Sequence, residues 1–188
     1  NLTSLGTGLL FSWTSPVLAH LQSADTSVGD KPLDNAEVSW LTSAMALGAI
    51  ASLPFCGKFS ESYGRKRTIH LSAITLLLSW LLKVFAQSYG YLLVARFCGG
   101  ISAAFNMVLV PIYVSEISNA SIRGLLGSLM LFNFRIGLLA GSCLGAALSF
   151  RNFAICGILV PVIFAIGFTF MPETPVYLVR KGRIEEAR

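Results

Sequence analysis

Gly57-Lys58-Phe59-Ser60-Glu61-Ser62-Tyr63-Gly64-Arg65-Lys66-Arg67 is the stretch on which the reading of this chain turns. It holds four of the fourteen lysines and arginines in eleven positions. Apolar runs flank it, Trp40 to Cys56 before and Ile69 to Ala86 after. Short loops rich in Lys and Arg stay on the cytosolic side of a bilayer. The stretch therefore reads as a cytosolic turn between two membrane helices. Once this turn has a side, each apolar run sets the side of the next.

Composition supports lipid as the solvent. The 188 residues are 54% hydrophobic and only 12% charged, and the mean hydropathy is +0.70. A soluble domain carries about 25% charged residues. The net charge of +5 sits in turns. Nucleic-acid binding would need a basic stripe on one polar face, so no nucleic-acid partner is expected. An enzyme would need His, Asp, Glu or Cys converging at one depth, and no such set stands out. The chain is expected not to be an enzyme and to carry no catalytic residue, metal or cofactor. Cys56, Cys98, Cys143 and Cys156 lack paired spacing and read as small packing residues. Asn1-Leu-Thr and Asn119-Ala-Ser match the glycosylation pattern, but both fall on the expected cytosolic face. The chain opens on Asn1 with no basic n-region, so it is expected to be a fragment with no cleavable signal.

A spanning helix needs about 20 mostly apolar residues. This predicts an all-α membrane protein with one bundle over 1–171 and spans near 1–21, 39–56, 68–86, 90–113, 124–150 and 153–171. Residues 172–188 form a polar cytosolic tail. The acidic segment with Asp25, Asp30, Asp34 and Glu37 belongs outside, and Val114 to Arg123 is expected as a polar inside loop. Inside segments then hold Lys58, Arg65, Lys66, Arg67, Arg123, Arg180, Lys181, Arg183 and Arg188, against Lys31 and Arg151 outside. Both ends are expected to be cytosolic. Lys83 and Arg96 lie near outer helix ends, where long side chains are expected to snorkel to the interface.

Packing signals agree. Gly137, Gly141 and Gly145 recur every fourth residue, as do Gly100 and Ala104. Such ridges let membrane helices approach closely. Pro16, Pro54, Pro111 and Pro161 fall in or at the ends of spans, where freed backbone groups need partners in neighbouring helices or a wet cavity.

The basic turn resembles the loop between the second and third spans of the major facilitator superfamily. Gly57, Glu61, Gly64, Arg65 and Lys66 match, with Glu61 for the usual aspartate and Ser62 for the usual basic residue. The fourth span resembles the sugar-porter signature: Arg96-Phe97, Gly100, Pro111, Tyr113, Glu116, Arg123 and Gly124 stand at its spacings, and Ala104 replaces one glycine. Pro172-Glu173-Thr174-Pro175 and Leu178 resemble the Pro-Glu-Ser-Pro motif after the sixth span, and Gly182-Arg183 and Glu185-Glu186-Ala187 continue the likeness. Trp13-Thr14-Ser15-Pro16-Val17-Leu18 looks most like insect members, the group of the facilitated trehalose transporters.

The resemblance implies the amino-terminal half of a twelve-helix fold, with the tail beginning an intracellular helical linker. It implies transport of a sugar, a hexose or disaccharide, by alternating access in the plasma membrane. The partners are the sugar, the lipid bilayer and the missing carboxy-terminal half. It also implies a conformational latch of Gly57, Glu61, Gly64, Arg65, Lys66, Glu116, Arg123 and Glu173. Proton-coupled relatives carry an aspartate where this chain has Thr14. No carboxylate falls mid-membrane, and proton pumps relay through such groups, so facilitated uniport is expected.

For the substrate path, Leu131 stands where relatives place a sugar-binding glutamine. Arg135 is one turn further on the same face, with Phe134 and Leu138 beside it. Phe11, Trp13 and Thr14 supply the first span's share. An arginine at mid-membrane costs about 2.5–3.5 kcal/mol. Either Arg135 faces the cavity, or it pairs with a carboxylate of the absent half. Asn106 and Asn133 are further polar groups within spans. The alternatives are transport of a polyol or organic anion, or a non-transporting fragment or sensor on the same scaffold.

Overall fold

The computed structural model describes residues 2–22 and 31–182. Asn1, Asp25, Asp30, Arg183, Glu185, Glu186, Ala187 and Arg188 lie outside the described residues. In chain order the helices are α1 (Leu2–Ser12), α2 (Thr14–Leu21), α3 (Asn35–Tyr63), α4 (Arg65–Val84), α5 (Tyr89–Ile117), α6 (Ala120–Ala147), α7 (Phe150–Thr169) and α8 (Pro175–Arg180). No strand occurs among the described residues. Helices α3 to α7 are each long and apolar enough to cross a membrane.

The basic stretch is almost entirely helical. Helix α3 ends at Tyr63, α4 starts at Arg65, and Gly64 alone joins them. Gly64 has φ 98°, a backbone region that side chains with a Cβ rarely adopt. The expected polar loop over 114–123 likewise shrinks to Ser118 and Asn119. Lysine, arginine and glutamate are good helix formers, so helices continue past the apolar run that marks a span.

The first apolar run is not one helix. It breaks at Trp13 into α1 and α2. Pro16 has no N–H for the Ser12 carbonyl, and its ring crowds that turn. Pro54, Pro111 and Pro161 sit inside α3, α5 and α7 without ending them. Helix α3 opens on a capping box: Asp34 Oδ1 accepts from Asn35 N at 2.7 Å, and Asp34 N donates to Glu37 Oε2 at 3.0 Å.

Helix α5 is the most buried of the long helices, with α3 and α4 packed along it. Helix α1 lies along α6, and α7 closes on α4 and α1. Lipid tails give helices little hydrophobic reason to associate, so close backbone approach must hold them. The glycine ridge meets that need. A Cβ on Gly137 would strike the Leu5 carbonyl, one on Gly8 the Phe134 carbonyl, and one on Gly145 the Pro16 ring. Gly48 and Gly100 do the same for α3 on α5, against the carbonyls of Phe97 and Met45.

Two apolar clusters fill the bundle. One gathers Leu10, Trp13, Leu41, Leu76, Trp80 and Phe153. The other gathers Cys56, Ile69, Phe105, Leu109, Phe164 and Phe168. Where they meet along α4 and α5, buried polar side chains link up. Ser72 Oγ donates to Asn106 Oδ1 at 2.9 Å, Ser102 Oγ to the Ser72 carbonyl at 2.8 Å, and Asn106 Nδ2 reaches Thr7 Oγ1 at 3.5 Å.

Candidate functional site

Helix α6 shows most of its surface, with Leu125, Leu131, Phe132 and Leu139 all exposed. At its junction with α1 and α5 is a cavity of about 130 Å³. Its polar wall is Ser4 and Thr7 of α1, Asn106 of α5 and Arg135 of α6. Its apolar wall is Met107, Met130, Leu131 and Phe134. Asn106 is 3% exposed and is held by Ser72, Ser102 and Thr7. Its amide is therefore held in orientation, with its nitrogen donating to Thr7 and Ser102, and its oxygen keeps a second lone pair for a ligand that donates.

Three of the expected substrate residues, Leu131, Phe134 and Arg135, line this cavity. Phe11 stands beside it, edge-on to Phe134 at 5.8 Å. Leu138 is half-buried at the α1–α6 seam. Thr14 turns away and accepts a hydrogen bond from Arg96 Nη2. Asn133 spends its amide on the Leu129 carbonyl at 2.7 Å.

Trp13, expected on the substrate path, is 0% exposed. Its ring is already covered, by Lys83 and Arg96 as cations and by Phe150 edge-on. Sequence reading missed Ser4, Thr7, Met107 and Met130. Ser4 and Thr7 share a face of α1 with Phe11, at helical spacing, and that signal was available.

A larger cavity of about 380 Å³ lies among α1, α4, α5 and α7. Its walls include Ile69, Val110, Ile163, Phe164 and Phe168. They offer too few hydrogen-bond partners for a polyhydroxylated ligand, since buried hydroxyls left unpaired are costly.

The end of the bundle that carries the α3–α4 turn is stapled by charge. Arg65 is 7% exposed. Its Nε and Nη2 both reach Glu116 Oε1 at 3.3 Å, and Nη1 donates to the Ser60 carbonyl at 3.2 Å. Glu116 sits in the last turn of α5, where the helix dipole disfavours an anion, so Arg65 offsets that placement. Glu173 caps α4 from outside the helix. Its Oε1 accepts from Lys66 N at 2.9 Å and Thr174 N at 3.1 Å. A Cβ on Gly64 would lie 2.5 Å from Glu173 Oε2. Gly64 therefore makes room for the carboxylate that replaces the side-chain cap it lacks.

Lys66 Nζ donates to the Thr169 carbonyl at 2.7 Å, at the end of α7, and Tyr113 Oη to the Pro172 carbonyl at 2.8 Å. Of the other expected latch residues, Glu61 pairs among the described residues with Arg180, at 3.9 Å, both exposed. Gly57 has open space around it, and Arg123 is exposed with no ion pair among the described residues. Tyr113, Tyr177 and Ser60 join these contacts without having been expected there; Tyr177 Oη donates to the Ser62 carbonyl at 3.3 Å.

The opposite end is different. Lys83 and Arg96 do not snorkel. They are 0% and 1% exposed. Lys83 Nζ lies 4.5 Å from the Trp13 ring centroid and 4.1 Å from that of Trp80. Arg96 Cζ lies 4.7 Å from the Trp13 centroid. Arg96 also donates to the Leu10 carbonyl at 3.3 Å, so it grips α1 just before the break. A desolvated cation–π contact contributes about 2 kcal/mol, while burying an ion costs several kcal/mol. The outward path that snorkelling needs is closed here by indole rings.

Comparison with known proteins gives one consistent picture. The profile of the family described as "Sugar (and other) transporter" matches residues 5–188. The chain is 32% identical over 188 residues to the facilitated trehalose transporter Tret1 of Apis mellifera ligustica, covering 100% of this chain and 37% of that protein. It is 35% identical over 153 residues to plastidic glucose transporter 4 of Arabidopsis thaliana, covering 79% of this chain and 28% of that protein. Among solved structures, the xylose transporter XylE from E. coli in a partially occluded inward-open conformation superposes with TM-score 0.79 at 22% identity, covering 99% of this chain and 52% of XylE. The proton:xylose symporter XylE bound to 6-bromo-6-deoxy-D-glucose gives 0.82 at 21% identity, covering 99% of this chain and 46% of that one. The chain thus has the fold of the amino-terminal half of a major-facilitator protein. It spans 37% of the length of the trehalose transporters of Apis mellifera ligustica and Polypedilum vanderplanki.

Proposed function

Because this chain belongs to the sugar (and other) transporter family and is an integral, multi-pass membrane protein, we propose that it is one of two rocking halves of a sugar carrier. The observation that carries this reading is the notch between α1, α5 and α6. There Asn106, Thr7, Ser4 and Arg135 line a cavity beside the exposed face of α6. The second half of the carrier closes that face and supplies the other wall. A midplane site between two rocking bundles is the general design of alternating access.

In this reading α1 and α2 together make the first of six crossings over residues 1–171, and residues 172–188 begin the linker to the second half. The α3–α4 turn and both ends of the chain are cytosolic, in the plasma membrane. Arg65, Lys66, Glu116 and Glu173, with Gly64, form the latch that holds the outward-facing state; Gly57, Glu61 and Arg123 are its outer rim. The sugar's hydroxyls bond to Asn106, Thr7 and Arg135, and Phe11, Leu131 and Phe134 pack on its ring. The relatives' names offer trehalose, glucose and xylose as substrates to try. Every described carboxylate lies near a helix end: Asp34, Glu37, Glu61, Glu116 and Glu173. That supports uniport over proton coupling.

Counterflow of radiolabelled sugars into liposomes holding the full-length protein tests the proposal. Saturable exchange of at least one sugar, indifferent to an imposed pH gradient, is expected. Exchange of none would overturn the sugar reading. Flux that follows the pH gradient with the sugar gradient clamped would overturn uniport alone.

A further inference from the structure

Near the far end of α4 two cationic side chains have no ion pair among the described residues. Lys83 and Arg96 share the Trp13 ring, at 4.5 Å and 4.7 Å from its centroid. The groups in contact with them among the described residues are neutral: Trp80 from α4, Met45 from α3, and Leu10 and Thr14 from α1 and α2. Arg96 does bond three of these, through Nη1 and Nη2. Lys83 Nζ and Arg96 Nε have no hydrogen-bond partner among the described residues. The carbonyls that end α4 lend partial negative charge, but none bonds the ammonium. Indole faces attract a cation without accepting an ordinary hydrogen bond, and two like charges held in a dry interior call for an anion.

We propose that Lys83 and Arg96 are the two arms of a binding site for a small inorganic anion of the halide type. Its size follows from the enclosure: Lys83 and Arg96 are 0% and 1% exposed, and neither lines the cavity nearby. Its entry lies at the same end. A cavity of about 230 Å³ is lined by Pro16, Val17, Phe150 and Phe153. Phe150 packs edge-on to Trp13 at 5.8 Å and Phe153 tilts on Trp80 at 5.9 Å. These two rings are the wall between cavity and cations. A bound halide ties the break in the first span to α4 and α5. The inference does not depend on which solute is carried.

The test compares thermal midpoints of the purified full-length protein, read by tryptophan fluorescence, in chloride and in gluconate at equal ionic strength. Ligand linkage predicts a saturable rise of about 3–6 °C in chloride. Lys83→Met should abolish the rise and Lys83→Arg should keep it. Equal midpoints in the two salts for the parent protein would overturn the proposal, as they would if a carboxylate elsewhere in the full chain supplied the charge. A chloride rise that survives Lys83→Met would also overturn it. Should Lys83→Met not accumulate, crystals grown in bromide decide. Anomalous density between Lys83 and Arg96 supports the site, and its absence at saturating bromide refutes it.

Discussion

The two ends of α4 bury positive charge in opposite ways. Arg65 and Lys83 are 18 positions apart, about 27 Å along the helix. Arg65 has a carboxylate, a carbonyl and a side chain that is 8% exposed. Lys83 has two aromatic rings and no acceptor among the described residues. A paired, part-wet charge can exchange one partner for another at small net cost, which is what a two-state latch needs. A charge enclosed by rings cannot be released without opening the core. In the proposed carrier the first end is the one that switches and the second stays closed, and the notch between α1, α5 and α6 lies between them.

The largest expected break is at the closed end. Trp13→Ala removes the ring that carries both cations and leaves a cavity. Loss of a buried tryptophan costs about 3–5 kcal/mol, so the full-length variant should be lost from the monodisperse peak in size-exclusion chromatography. A normal peak would mean that the ring does not hold the cations.

At the switching end the losses should be smaller and mutually dependent. Arg65→Met or Glu116→Gln alone is expected to cost about 2–3 kcal/mol, since each leaves a nearly buried group unpaired. The double variant should cost far less than the sum, read from a double-mutant cycle on denaturant midpoints. Simple additivity would show that the pair is incidental. Gly64→Ala should cost about 1–2 kcal/mol through its backbone angle, with Glu173 pushed off the α4 terminus. A midpoint unchanged by Gly64→Ala would remove the cap from the latch. The mildest change is at Arg180 and Glu61, whose side chains are 61% and 69% exposed. Replacing either should leave stability within error, and a clear loss would extend the latch to the rim.

Much of this contrast was legible before any coordinates. Arg65, Glu116 and Glu173 fall in motifs whose spacing is specific, and their contacts are made by backbone and side chains near helix ends, where sequence position and space agree. The glycine ridge on α6 was legible for the same reason: a four-residue repeat is a helix face. The closed end was not. Hydropathy places Lys83 near a helix end and stops there, because whether its side chain reaches water depends on Trp13 and Trp80, which come from α4 and from a helix break that Pro16 sets. The polar wall of the notch was half legible. Leu131, Phe134 and Arg135 share a helix face, but Ser4 and Thr7 join them only through the close approach of α1 to α6 that Gly8 and Gly137 allow. Arg123 sits in a motif yet points outward, since a motif position fixes the residue and not the partner.

The most direct measurement is protection of the notch itself. In a full-length protein freed of cysteines, Cys56, Cys98, Cys143 and Cys156 among them, Leu131→Cys is labelled by a thiol reagent with and without the sugar that exchanges in counterflow. The account predicts that saturating sugar slows labelling several-fold while a non-exchanging stereoisomer does not. Equal rates in all conditions would contradict the placement of the sugar between α1, α5 and α6.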